Sequence, residues 1–144
     1  MAYKTNYIKK GDVAQKGLDP HFGTGFVQGR GEVTTTDATP TVIAILPVTT
    51  TTPSTLKCMA QVAVFKSDAS IARFSAFAPA AVFYNGSTTS FLGTPSSQSW
   101  AFPSSNVSFH YSIVGTNLVM NVTGLVDTTI NWVYTYEYFS VLAG

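Results

Sequence analysis

The fold is decided by one stretch near the C-terminus, Ile130-Asn131-Trp132-Val133-Tyr134-Thr135-Tyr136-Glu137-Tyr138. Its even-numbered residues are large and apolar or aromatic, and they alternate with residues that are mostly smaller or polar. This period of two is the one that a β-strand imposes, because successive side chains point to opposite faces. The stretch therefore predicts a long final strand with an aromatic face and, opposite to it, a face that carries Asn131, Thr135 and Glu137.

The same alternation recurs through the chain. It predicts strands at 56–64, 107–113 and 118–122, and a short apolar run between Pro40 and Pro47 predicts another at 42–46. Further strands are predicted at 73–77, 81–84 and 88–92. Asn85-Gly86 and Gly115-Thr116-Asn117 are hairpin turn signals between neighbouring strands, and the serine- and proline-rich residues 93–106 predict a loop. No stretch has the 3.6-residue period of an amphipathic helix. The sequence predicts an all-β protein, an antiparallel β-sandwich of the jelly-roll or immunoglobulin-like type.

The N-terminal segment differs in composition from the rest. Residues 1–37 hold nine of the fifteen charged side chains: Lys4, Lys9, Lys10, Asp12, Lys16, Asp19, Arg30, Glu32 and Asp37. Six glycines fall in the same segment without any sustained period. We therefore predict an extended N-terminal arm over 1–33 and a β-sandwich domain over 34–144. A disordered tail is the alternative, but the tyrosines, phenylalanines and aliphatic residues of the segment favour an arm that orders against a partner.

Composition excludes several classes of protein. Only 10% of the 144 residues are charged and the net charge is +1, so the cations that would neutralise many phosphates are missing and no direct nucleic-acid partner is expected. The single cysteine, Cys58, excludes an intrachain disulfide and a thiolate zinc cluster. No apolar run approaches the roughly 18 residues of a membrane span, and the N-terminus lacks the apolar core of a signal peptide.

Candidate catalytic groups are few and scattered. Acid–base catalysis needs paired carboxylates or a histidine beside a carboxylate, whereas after residue 37 the chain holds only three acids, which are scattered at Asp68, Asp127 and Glu137. The histidines His21 and His110 stand alone and form no metal-binding pattern. The sequence therefore predicts no catalytic residue, no metal, no cofactor and no enzymatic activity.

Two further features can each be interpreted in two ways. The aromatic row Trp132, Tyr134, Tyr136 and Tyr138, with Phe109 and Tyr111, is either core or subunit-interface packing or else a platform on which sugars stack. Cys58 shares the predicted inward face of its strand with Leu56 and Val62, which favours a small buried hydrophobic residue over a nucleophile.

Three segments resemble a known domain: Thr34-Thr35-Thr36-Asp37-Ala38-Thr39-Pro40-Thr41-Val42-Ile43, then Val114-Gly115-Thr116-Asn117-Leu118-Val119-Met120-Asn121-Val122-Thr123-Gly124, and Thr128-Thr129-Ile130-Asn131-Trp132 leading to Tyr136-Glu137. They are similar to a small β-sandwich domain found in the virion structural proteins of tailed bacteriophages. Such domains end decoration (cement), tail-fibre or baseplate proteins. The resemblance covers about 34–141 and implies a structural protein at the surface of the virion, made in the host cytoplasm.

The resemblance leaves two functions open. The first is a capsid decoration (cement) protein that docks on the major capsid protein or other virion proteins through its arm, with contacts at Tyr3, Tyr7, Ile8, Lys9, Lys10, Phe22 and Phe26. The alternative is a tail-fibre, head-fibre or baseplate domain that binds a host receptor or surface glycan, for example through loops 49–55 and 93–106. An arm joined directly to one domain, without a shaft repeat between them, favours decoration. Both functions imply a homo-oligomer, which we expect to be a trimer, and neither implies a membrane partner.

Overall fold

A computed structural model describes residues 25–65, 73–96, 98–102 and 107–143. Nine strands lie in this part of the chain: β1 (Val27–Thr35), β2 (Thr41–Leu46), β3 (Ser54–Phe65), β4 (Arg73–Tyr84), β5 (Thr89–Phe91), β6 (Gln98–Phe102), β7 (Ser108–Val114), β8 (Asn117–Thr123) and β9 (Ile130–Leu142). No helix occurs among the described residues.

The strands form two antiparallel sheets. The large sheet has the order β1-β9-β3-β4-β5, with β6 also paired to β4, and the small sheet has the order β2-β8-β7. Their facing sides bury one hydrophobic core, in which Trp132, Leu56, Leu118 and Met120 are fully enclosed. The prediction of an antiparallel β-sandwich is confirmed.

The start of the sandwich lies further upstream than the predicted domain boundary. Strand β1 begins at Val27 and pairs with β9 along its whole length, from Val27 opposite Tyr138 to Thr35 opposite Ile130. The predicted boundary between residues 33 and 34 falls inside this strand, so residues 27–33 belong to the large sheet. The alternation of β1 is hard to read in the sequence because two of its inward positions are glycines, Gly29 and Gly31.

Two predicted elements need correction. Residues 73–77 and 81–84 belong to one strand, β4, which continues through Pro79. On the side of β4 away from β3, β6 pairs with residues 73–77 and β5 with 82–84. Neither strand pairs with residues 78–81. Pro79, which has no N–H to donate, is tolerated at such an edge position. The inward residues Ala76, Ala78 and Ala80 are small, so the sequence shows little contrast with the outward ones.

The predicted loop over 93–106 contains strand β6, which runs antiparallel to the first half of β4. Its five residues alternate, but the prolines and serines on both sides outweigh that signal in the sequence. The predicted Asn85-Gly86 turn is present. Gly86 has a φ of 101°, and the Asn85 Oδ1 accepts hydrogen bonds of 2.9 Å from the backbone N–H groups of Ser87 and Thr88.

Candidate functional site

Most of the predicted arm contacts lie outside the described residues: Tyr3, Tyr7, Ile8, Lys9, Lys10 and Phe22. Phe26 is described. It precedes β1 with 63% of its surface exposed, and its ring centroid is 5.0 Å from that of Phe139 on β9. Phe26 therefore contacts an aromatic ring of the sandwich itself, at one end of the outer face of the large sheet.

The aromatic row of β9 faces the small sheet. Trp132 is fully buried and Tyr138 is 8% exposed, while Tyr134 and Tyr136 are half-buried at the margin of the sandwich. The indole Nε1–H of Trp132 donates a 2.9 Å hydrogen bond to the Thr35 Oγ1. The core interpretation of this row is therefore correct at its two ends.

The tyrosines of β9 form a ladder over the glycines of β1. The rings of Tyr134, Tyr136 and Tyr138 are nearly parallel, with centroids 6.4 and 6.3 Å apart. A Cβ atom at Gly29 would overlap the ring of Tyr136, and one at Gly31 would overlap the hydroxyl of Tyr134. The two glycines are required here because the aromatic side chains occupy the space of a side chain on β1.

Cys58 lies in the core, as the sequence predicts, with no exposed surface. Burial raises the pKa of its thiol from an ordinary value of 9.0 to about 11, so the thiol stays protonated near neutral pH. The Tyr111 hydroxyl crosses from the small sheet, donates to the backbone carbonyl of Ala78 and lies 3.8 Å from the Cys58 Sγ. A protonated, enclosed thiol is a poor nucleophile.

The outer face of the large sheet is the surface that sequence reasoning missed. The register of β1, β9 and β3 places Arg30, Thr135 and Gln61 side by side in one cross-strand row. Gln28, Glu137 and Met59 form the next row. Five of these six side chains are exposed and Met59 is half-buried. Neighbouring rows lie about 7 Å apart along the strands.

A hollow opens between these two rows because Thr135 is short and its neighbours are long. Its volume is about 620 Å³, and Gly29 and Tyr136 also line it. Gly29 has no side chain and the side chain of Tyr136 points to the inner face, so the floor of the hollow is sheet backbone. The hollow is open to solvent, so a ligand in it would stay partly exposed.

A second hollow of about 310 Å³ adjoins the first and shares Gln61 and Thr135 with it. Its outward-facing lining is apolar or small, comprising Ala63, Ser75, Phe77 and Val133, with Phe77 39% and Val133 51% exposed. We call the two hollows together the outer groove: Gln28, Arg30, Met59, Gln61, Thr135 and Glu137 form its polar end, and Ala63, Ser75, Phe77 and Val133 form its apolar end. It crosses four neighbouring strands, a span of roughly 14 Å.

The polar end offers both donors and acceptors to a ligand. The Arg30 guanidinium and the Gln28 and Gln61 amides donate hydrogen bonds, and the Glu137 carboxylate and the amide oxygens accept them. Gln28 Nε2 donates to Glu137 Oε2 at 3.5 Å, the outer limit for a hydrogen bond. These groups line one hollow and keep hydrogen-bonding capacity for a polar ligand.

The remaining sequence predictions concern the two histidines, a metal site and a membrane span. His110 is exposed on the outer side of the small sheet, and His21 lies outside the described residues. Within residues 25–65, 73–96, 98–102 and 107–143, no three metal-ligating side chains gather into a possible metal site. A search of the same residues for helices long and apolar enough to cross a membrane finds none.

Comparison with known proteins gives structural likenesses. Neither a protein-family model nor a curated protein matches this chain. The fold is similar to part of the tailspike protein of Acinetobacter baumannii phage AM24, with 10% identity and a TM-score of 0.41 over 83% of this chain and 26% of that one. For the tailspike protein of Acinetobacter phage vB_ApiP_P1 the values are 18% identity, a TM-score of 0.41, 78% of this chain and 21% of that one.

A third likeness corrects one prediction. The tailspike protein of A. baumannii bacteriophage Fri1, described as a capsular polysaccharide depolymerase, is 15% identical with a TM-score of 0.44, over 94% of this chain and 22% of that one. A depolymerase is an enzyme, which contradicts the prediction of no enzymatic activity, and we withdraw that prediction. It rested on a search for paired acids in this chain alone, whereas this chain spans about a fifth of that protein.

Proposed function

We propose that this protein is a virion domain of a tailed bacteriophage that binds a host-surface glycan in the outer groove. The resemblance of three sequence segments to phage virion domains supports the first half of this proposal. The outer groove supports the second half, and it is the observation that carries the proposal. The tail-fibre, head-fibre or baseplate alternative is thereby preferred to capsid decoration.

The chemistry of the groove fits a carbohydrate at both ends. A sugar ring carries hydroxyl groups on its edge and a patch of C–H groups on its face. The exposed ring of Phe77, beside Val133, provides an apolar surface of the kind that such a face packs against. The guanidinium, amide and carboxylate groups of the polar end hydrogen-bond to hydroxyl groups. A span of roughly 14 Å accommodates more than one sugar unit.

The groove also suits a weak, repeated contact with a polymer. It is open, and its floor is rigid sheet backbone, so a ligand binds without ordering a loop. Several copies in one particle multiply a modest affinity through avidity. A homotrimer remains our expectation for the assembly, and sedimentation of the full chain at high micromolar concentration tests it, since a monomer under those conditions would contradict it.

Binding to an array of bacterial surface polysaccharides tests the proposed ligand. The variant Thr135→Arg replaces the short side chain between the two rows with a long one that fills the hollow. We expect it to lose at least about tenfold in affinity for any polysaccharide that the wild type binds. Ser90→Arg is the matched control, because Ser90 is exposed on the same face of the large sheet but lies outside the groove. Equal binding by both variants would overturn the proposed site.

The position of the protein on the particle separates the two virion functions. Antibody labelling of intact virions, followed by electron microscopy, is expected to place the protein on the tail or on a fibre. Labelling over the capsid lattice would instead favour the decoration function. Deletion of residues 1–24 then tests the predicted arm, since a decoration protein that docks through the arm would no longer attach.

A further inference from the structure

Strand β1 leaves one edge of the large sheet open. It is the end strand of that sheet, and among the described residues β9 is the strand that pairs with it, along one side. The backbone N–H and C=O groups that point away from β9 can therefore accept another strand. Nine residues, from Val27 to Thr35, form this edge.

The inner side of the same edge is incompletely covered. Val27 and Val33 of β1 pack against the core but stay half-buried, as do Tyr134 and Tyr136 of β9. The two tyrosine rings extend over the glycines of β1, the last strand of the sheet. A further strand beside β1 would bury more of this apolar surface, which favours its binding.

The charges of β1 favour a second copy of the same chain as that further strand. On its outer face β1 carries Arg30 and Glu32, two residues apart. Arg30 lies opposite Thr135 of β9, and the register continues with Glu32 opposite Val133. Neither charge therefore has an opposite charge directly across from it on β9, where such a pair would stabilise the pairing of strands.

Two antiparallel copies of β1 match each other in one register. When a strand pairs with itself about a two-fold axis, the residue on the axis lies opposite its own copy, and the other residues pair symmetrically on either side. Gly31 is the central residue of Val27–Thr35, so an axis through Gly31 pairs the whole strand. The same axis places Arg30 of each copy opposite Glu32 of the other.

The neighbouring registers are unfavourable. An axis through Arg30 or Glu32 places two like charges opposite each other, which destabilises a strand pair. An axis between two residues sets inward side chains opposite outward ones and so interrupts the sheet. Full overlap and charge complementarity thus select the same register. From this coincidence we propose that the open edge of β1 binds the β1 edge of a second copy, antiparallel and centred on Gly31.

The contact is independent of the proposed glycan-binding function. It joins copies in pairs, so it is a different contact from the one that would build the expected trimer. A pairing of this length forms roughly eight to ten backbone hydrogen bonds. The two Arg30–Glu32 pairs add the charge complementarity that fixes the register.

Charge variants of the full-length chain test this contact. Arg30→Glu makes both charged pairs acidic, and Glu32→Arg makes both basic. In sedimentation at low ionic strength we expect each variant to self-associate at least about tenfold more weakly than the wild type, with a difference that shrinks as salt is added. Lys57→Glu is the control, because it makes the same charge change as Arg30→Glu at an exposed residue of β3 on the same face. It should self-associate as the wild type does.

Mixing the two variants restores opposite charges across the contact. An affinity-tagged Arg30→Glu chain should capture Glu32→Arg at least about tenfold more than it captures untagged Arg30→Glu. The double variant Arg30→Glu with Glu32→Arg exchanges the two charges, keeps the net charge and should self-associate as the wild type does. This recovery would exclude unfolding of β1 as the cause of the losses in the single variants.

Three results would overturn the proposal. A wild type that stays monomeric at high micromolar concentration would show that the edge does not bind a second copy. Equal self-association by Arg30→Glu and Lys57→Glu would place any contact between copies elsewhere on the molecule. Failure of the two mixed variants to associate would rule out the register centred on Gly31, and the charge match with it.

Discussion

The two faces of strand β9 share one backbone but obey different constraints. On the inner face, Trp132 is fully enclosed and hydrogen-bonded, and Tyr136 occupies the space above Gly29. On the outer face, Thr135 and Glu137 are exposed beside a groove. Each inner side chain has neighbours on both sheets, whereas each outer side chain is constrained mainly by its cross-strand partners.

One strand thus carries a packed face, which contributes to stability, and an exposed face, which under the proposed function contacts the ligand. Substitutions on the inner face change packed volume and buried hydrogen bonds, which have large free-energy consequences. Substitutions on the outer face change mainly what a ligand meets. We therefore expect mutations on the two faces of β9 to have separable effects.

The largest effect is expected at Trp132. Trp132→Ala removes the largest fully buried side chain and leaves the Thr35 hydroxyl without its indole donor. We expect the free energy of unfolding to fall by about 3–5 kcal/mol, measured by urea denaturation. Trp132→Phe keeps most of the volume and should cost distinctly less. A loss below about 1 kcal/mol for the alanine variant would contradict the core described for the inner face.

The next effect concerns pH. The pKa of Cys58 is raised to about 11 in the folded protein, so the unfolded chain releases this proton at a lower pH than the folded one. The stability contributed by the buried neutral thiol is present below pH 9 and is lost as the pH rises toward 11.

Between pH 8 and 10.5, the wild type should therefore lose about 2 kcal/mol more of its unfolding free energy than Cys58→Ala does. Comparison of the two proteins removes the contribution of every titrating group that does not interact with Cys58. Parallel pH profiles for the two would show that the thiol is accessible to solvent in the folded state.

A smaller effect is expected at Gly29, where an inner-face tyrosine excludes a side chain. Gly29→Val should destabilise the protein by about 1–2 kcal/mol, because Tyr136 must leave its place in the ladder. In a Tyr136→Ala background the same change should become neutral or stabilising, since valine suits a strand better than glycine. A double-mutant cycle of unfolding free energies measures this reversal. Additive effects would contradict the packing of Tyr136 over Gly29.

The smallest effect on stability is expected on the outer face. Thr135→Arg and the control Ser90→Arg should each change the free energy of unfolding by less than about 0.5 kcal/mol, as urea denaturation reports. Only the first should reduce glycan binding. If Thr135→Arg unfolded the domain as Trp132→Ala does, the outer face of β9 would be part of the core, and the contrast between the two faces would fail.

Local patterns predicted most of the strands but not their partners. Alternation identified β3, β7, β8 and β9, because large and small residues contrast along each of them. It divided β4 in two because the inward alanines give no contrast, and it missed β6 between two prolines. Residues 27–33 of β1 were predicted as arm because Gly29 and Gly31 show no inward side chains, and tyrosines more than 100 residues away fill that space.

The outer groove could not be predicted for a related reason. Arg30, Thr135 and Gln61 are ordinary exposed residues in the sequence, and only the pairing of three distant strands brings them into one row. The sequence does place Thr135 and Glu137 opposite the aromatic face. The hollow forms because the long side chains of Arg30 and Gln61 flank the short one of Thr135. That placement depends on the register of the three strands.

A nuclear magnetic resonance titration of the isotope-labelled full chain with a polysaccharide fragment that it binds decides whether the outer groove is the binding site. We expect the backbone amide shifts of Arg30, Gln61 and Thr135, on three neighbouring strands, to change, and those of core residues such as Leu118 and Met120 to stay constant. Shifts confined to the hollow between Phe91, Phe109 and Tyr111 on the opposite margin, or to loop 49–55, would contradict it.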